Sequence, residues 1–136
     1  STAFSSNPAL CIRDYLLNSD YGLGADANEI NDTNIASVAT GAIPYGSVVA
    51  YLTCSNFAYV RTSQKNYGTN RLVEGKLNRS KPVYLIEDVC TTGSSIRSAE
   101  NILLNHGYNN IVKICILNRG NNKINDIISI EEIYAE

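Results

Sequence analysis

The stretch Val83–Ser95, VYLIEDVCTTGSS, constrains this chain more than any other. Val83 to Ile86 are apolar or aromatic and β-prone, as in a strand buried on both faces. Two carboxylates, Glu87 and Asp88, follow where such a strand would reach the surface. Thr91-Thr92-Gly93-Ser94-Ser95 then leads into a helical pattern, with Ile96, Ala99, Ile102 and Leu103 at helical spacing. Gly107 supplies a stop, and Ile111–Leu117 is a further apolar run. Strand, small-residue turn, helix and strand make a βαβ unit, which predicts an α/β fold with a mostly parallel sheet flanked by helices.

The turn points to a phosphate. Gly93 allows close approach of the backbone, and Ser94 or Ser95 is placed to cap the helix. The free N–H groups of the first helical turn then face outward with the positive end of the helix dipole. Two acids beside an anion site conflict with it unless the ligand also carries a polyol, whose hydroxyls donate to carboxylates. A sugar phosphate satisfies both ends. The alternative is a solvated strand end followed by an ordinary N-cap.

The remaining sequence sets the frame. At 136 residues the chain is expected to be a single domain, 1–136, able to bury roughly two-thirds of its unfolded surface. A net charge of −2 gives no reason to expect nucleic acid or an anionic membrane as partner. No apolar run has the length of a membrane span and no signal peptide opens the chain, so the cytoplasm is the expected compartment. Cys11, Cys54, Cys90 and Cys115 are scattered without metal-ligand spacing and read as free thiols. Pro8–Leu17 is expected to be extended before bending into a helical turn, and Tyr21–Asn34 to be a loop. Ile35–Ala39 and Phe57–Arg61 read as strands, with a Gly-flanked turn at Thr40–Gly46 able to aim N–H groups at an anion. Thr62–Leu77 carries Lys65, Arg71 and Lys76 with two glycines and reads as a long functional loop. Ile124–Ile128 is an expected edge strand, and Ser129 with Glu132 an expected capping box. His106, before Gly107, is expected to act as a helix-dipole partner.

Three stretches carry a resemblance. Val83–Ser95 resembles the 5-phosphoribosyl-1-pyrophosphate signature of type I phosphoribosyltransferases. Phe57–Leu77, FAYVRTSQKNYGTNRLVEGKL, is similar to the strand and catalytic loop of orotate phosphoribosyltransferases. Val38–Gly46, VATGAIPYG, resembles their pyrophosphate loop. The resemblance implies the phosphoribosyltransferase fold with a reduced N-terminal hood over residues 1–34 and a mobile catalytic loop at 62–77. It implies transfer of phosphoribosyl from phosphoribosyl pyrophosphate to orotate, a step of pyrimidine biosynthesis, with Mg²⁺ bound mainly through substrate and no dedicated protein metal site. Glu87 and Asp88 would hold the ribose hydroxyls, and Thr91, Thr92, Gly93, Ser94 and Ser95 the 5-phosphate. Thr40, Gly41, Arg61 and Lys65 would manage the pyrophosphate, with Lys65 on the catalytic lid. Thr91 and Arg119 would contact the base. Asn118 stands where the family normally has Asp, and a basic residue used just before Pro8 is missing here. A homodimer is implied by analogy. The alternative is a non-catalytic or altered-specificity member of the fold that binds phosphoribosyl pyrophosphate or nucleotides as a regulator.

Overall fold

The central strand runs from Val83 to Cys90, so Glu87 and Asp88 lie within it and not beyond its end. It is longer than its first apolar run suggests because pairing with its neighbour continues as far as Cys90 opposite Asn118. The computed structural model describes residues 7–20, 22–24, 33–63, 71–120 and 126–134. In chain order the elements are α1 (Pro8–Leu17), β1 (Asn34–Val38), α2 (Ile43–Thr53), β2 (Asn56–Val60), β3 (Val73–Gly75), β4 (Val83–Cys90), α3 (Ser94–Asn105), β5 (Ile111–Asn118), β6 (Ile127–Ser129) and α4 (Ile130–Tyr134). The sheet order is β3-β2-β1-β4-β5-β6. Every pairing is parallel except β2 with β3.

Side-chain alternation splits the interior in two. Tyr84 and Ile86 of β4 join Ile35, Ile114, Ile12 and Leu16 under α1, α2 and α4. Val83 and Leu85 join Ala36, Val38, Ile96, Ala99 and Leu103 under α3. Strands buried on both faces read as continuous apolar runs, which is why β4 is so visible in the sequence. Among the described residues no helix is long and apolar enough to cross a membrane.

Several expectations are corrected. Pro8–Leu17 is helical throughout: Asn7 accepts the Ala9 N–H at 3.0 Å, and Pro8 sits in the first turn, where its missing N–H costs nothing. This segment, read as part of a remnant hood, contributes the fully buried Ile12 and Leu16 to the core. The loop expected over 62–77 is shorter, because Val73–Gly75 pair with β2 and Arg61 N–H donates to Leu72 O at 2.7 Å. Gly93, not Ser94 or Ser95, is the N-cap of α3. Ser129 closes β6, and its buried hydroxyl makes no capping bond to α4. The edge strand is Ile127–Ser129, and residues 124 and 125 lie outside the described residues. His106 stands at the C-cap of α3, its ring Nδ1 lying 2.7 Å from the Ile102 carbonyl. None of the four cysteines is in a disulfide.

Beneath the sheet, at the edge where the parallel strands begin, Asn34 forms a buried knot. Its Nδ2 lies 2.7 Å from Asn78 O and 3.2 Å from both Lys81 O and Pro82 O. Its Oδ1 accepts the Asn78 N–H at 2.7 Å.

Candidate active site

Parallel pairing carries the C-terminal ends of β1, β2, β4 and β5 to one edge. From β1 the chain crosses through α2 to β2, whereas from β4 it crosses through α3 to β5 on the other side. The β1–β4 boundary is therefore the topological switch point, where open α/β sheets bind ligands.

Gly41 and Asp88 meet there. A Cβ built on Gly41 would overlap the Asp88 carboxylate, so only glycine lets the β1–α2 turn settle on that acid. The turn contains a cis peptide between Ala39 and Thr40. Ala39 N–H donates to Val60 O at 2.9 Å and Ala42 N–H to Val38 O at 3.4 Å. Between them, the N–H groups of Thr40 and Gly41 donate to no backbone acceptor among the described residues.

Beyond β4, an open hollow is lined by Glu87, Val89, Thr91, Thr92, Ser94 and Ser95. Gly93 adopts φ 81°, a left-handed conformation that favours glycine. Ser94 N–H reaches Thr92 Oγ1 at 3.3 Å, while the N–H groups of Gly93, Ser95 and Ile96 have no backbone acceptor among the described residues. Unpaired donors at the start of a 12-residue helix, α3, form an anion cradle.

The two acids differ. Glu87 is buried, 6% exposed, whereas Asp88 is half-buried. Burial, with a hydrogen bond and charge repulsion from Asp88, pushes the Glu87 carboxyl up to about 8, against opposing hydrogen bonds from the Asp88 backbone and Ser95. Glu87 is thus largely protonated at neutral pH. Below them, Cys90 is held protonated by its hydrogen bond to Cys115, by burial and by the nearby carboxylates, and is an unreactive thiol.

At the β5 end, Arg119 N–H donates to Cys90 O at 2.8 Å, and Gly120 packs so tightly on the Thr91 carbonyl that a Cβ would overlap it. Thr91 and Arg119, both exposed, are therefore brought side by side. Asn118 Oδ1 accepts the Gly120 N–H at 2.9 Å, a role that Asp would fill equally well. At the β2 end, the Arg61 guanidinium lies 5.2 Å from the Tyr59 ring centroid, with Nη2 3.2 Å from Tyr59 Oη. Arg61 Nε is buried without a partner among the described residues, an orphaned donor. Lys65 lies outside the described residues. Among the described residues no three His, Cys, Asp or Glu side chains converge on a metal position.

The fold has counterparts among solved phosphoribosyltransferases. Orotate phosphoribosyltransferase from Aeropyrum pernix superposes with a TM-score of 0.67 at 21% identity, covering 93% of this chain and 71% of that one. An adenine phosphoribosyltransferase gives 0.65 at 15% identity over 90% and 76% of the two chains. The fold is that of the type I phosphoribosyltransferases. Orotate phosphoribosyltransferase from Mycobacterium tuberculosis in complex with phosphoribosyl pyrophosphate shares this phosphoribosyltransferase fold, with a TM-score of 0.63 at 16% identity over 90% and 69% of the chains. In sequence the chain resembles orotate phosphoribosyltransferases. That of Haloquadratum walsbyi is 40% identical over 83 residues, 61% of this chain and 46% of its own. That of Methanosphaera stadtmanae is 34% identical over 95 residues, 68% of this chain and 53% of its own. The chain spans about half the length of these relatives. No protein-family model matches it.

Two site features escape a reading of motifs alone. Val89 is 38% exposed, an apolar side chain at the mouth of a polar hollow, unremarkable in sequence because it continues an apolar strand. Arg97, four residues after Gly93, reaches back to the turn itself, donating from Nη1 to the Thr92 carbonyl at 3.1 Å. Its helical spacing from the glycine was the available signal.

Proposed function

We propose that the chain is the phosphoribosyl-handling part of an orotate phosphoribosyltransferase, joining orotate to the ribose 5-phosphate unit of phosphoribosyl pyrophosphate and releasing pyrophosphate. The observation that carries this is the seating of Gly41 on Asp88 beside the open amides of Gly93, Ser95 and Ile96. A ligand with a phosphate at one end, hydroxyls in the middle and a second anion at the other fits that order of groups.

The 5-phosphate would sit on the α3 amides, its charge matched by the helix end. Asp88 would accept hydrogen bonds from the ribose hydroxyls, with Glu87 supporting it from below. The N–H groups of Thr40 and Gly41, with Arg61 and the loop residue Lys65, would hold the pyrophosphate. Orotate, with its carboxylate toward Arg119 and its ring toward Thr91 and Val89, would attack the anomeric carbon through a deprotonated ring nitrogen. As that bond forms, the carbon–oxygen bond to pyrophosphate breaks and the electron pair leaves with the anion. The transition state is oxocarbenium-like, so placed charges perform the catalysis without a covalent nucleophile. Mg²⁺, which suits the oxygen donors of Asp88 and the substrate, would neutralise charge on the leaving group. A second copy of the chain, bringing its loop to this site, completes the reading.

The test is product formation: the protein with Mg²⁺, phosphoribosyl pyrophosphate and each free base in turn. Orotidine 5′-monophosphate from orotate is expected. Asp88→Asn should weaken phosphoribosyl pyrophosphate binding at least tenfold by calorimetry. Tight binding with no nucleotide from any base would refute the transferase, and unaltered binding by Asp88→Asn would remove the acid from the ribose.

A further inference from the structure

Arg97 touches the phosphate turn in three ways. Its backbone N–H donates to Gly93 O at 3.1 Å, Nη1 donates to Thr92 O at 3.1 Å, and a Cβ on Gly93 would come within 2.6 Å of Nη1. The other side of the guanidinium is held from outside α3: Nη2 donates to Asp126 Oδ1 at 2.5 Å. Asp126 is in turn tied to the sheet, its Oδ2 lying 3.4 Å from Lys113 Nζ. Lys113 is buried in mid-β5, and its Nζ lies 2.6 Å from Glu100 Oε2 on α3.

We propose that Arg97 is a positioning residue for the 5-phosphate cradle, clamped by Asp126 so that the Thr92 carbonyl stays turned away and the amides of Gly93, Ser95 and Ile96 stay open to the anion. The inference rests on the functional reading above and adds to it a residue that touches the turn and not the ligand. A carbonyl pointing into an anion site would repel the ligand, and a hydrogen bond to a guanidinium is strong enough to hold it aside.

Two magnitudes separate this role from the alternatives. Arg97, Lys113, Glu100 and Asp126 sum to zero charge, so long-range attraction of the phosphate is not the gain. The Arg97–Asp126 pair has side chains 41% and 51% exposed, and pairs of that kind add little to stability. The effect therefore belongs in ligand binding and not in the melting temperature.

Calorimetry with two probes tests it: ribose 5-phosphate, which occupies only the cradle end, and Mg²⁺-pyrophosphate, which occupies only the other. Arg97→Ala should raise the Kd for ribose 5-phosphate roughly tenfold to a hundredfold. It should leave pyrophosphate binding within about twofold and the melting temperature within a few degrees. Arg97→Lys, which keeps one donor to Thr92, should recover part of the loss. Asp126→Asn should give an intermediate loss and add nothing to Arg97→Ala, since it acts through Arg97. Unchanged ribose 5-phosphate binding in Arg97→Ala overturns the clamp, as does parallel weakening of both probes with a lowered melting temperature. A wild-type protein that binds neither probe overturns the functional reading itself, and the clamp with it, before any substitution is made.

Discussion

Replacing Glu87 with Gln should change how stability depends on pH. The folded-state pKa of Glu87 is about 8 against an ordinary 4.5. Below the ordinary value both folded and unfolded chains hold the proton. Between the two values the unfolded chain releases it and the folded chain keeps it, so stability falls as pH rises. The contribution is fully present below the unfolded pKa and lost as pH passes through the folded one. At 1.36 kcal/mol per unit the loss is at most about 5 kcal/mol. Urea unfolding from about pH 5 to about pH 9 should show the wild type losing several kcal/mol across the window. Glu87→Gln, neutral and nearly isosteric, should be flat there and more stable than the wild type at the alkaline end. Asp88→Asn should keep much of the slope, because burial and not Asp88 is the largest cause of the shift. A Glu87→Gln protein with the wild-type slope would refute the reasoning, since some other group would then be titrating.

Gly41→Ala places a methyl group in the Asp88 carboxylate and should raise KM for phosphoribosyl pyrophosphate about tenfold or more, with a lower melting temperature; wild-type kinetics would mean the turn is free to move away. Arg119→Ala should raise KM for orotate roughly tenfold to a hundredfold and leave phosphoribosyl pyrophosphate binding unchanged by calorimetry, whereas equal loss of both would separate Arg119 from the base. Lys65→Ala should lower kcat by roughly one to three orders of magnitude without moving the melting temperature, as measured by steady-state assay and thermal melt.

The βαβ unit was legible because a strand buried on both faces must be apolar throughout, and β4 and β5 are. The acids, the glycine turn and the Thr40–Gly41 turn were legible because their chemistry is local to a few consecutive residues. The helix at Pro8–Leu17 is only partly legible: Asn7 and Pro8 are start signals, but its run of apolar residues also suits an extended segment ahead of a helical turn. Strand β3 was hidden in a charged stretch: three residues are too few to show alternation, and pairing with β2 decides them. The inequality of Glu87 and Asp88 could not be read at all, since adjacent carboxylates look alike until packing removes water from one. Arg97 was missed for a related reason, because its partner Asp126 lies 29 positions away.

The Asn34 knot has a consequence for how this sheet tolerates change. It fastens residues 78–82 beneath the strands, at the rim opposite the Gly41–Asp88 contact. Anchorage and chemistry are thereby assigned to opposite ends of the same strands. The upper loops can be resculpted for a different ligand while the lower fastening keeps the strands in step, and a library confined to the upper rim should yield far more folded variants than one that includes Asn34.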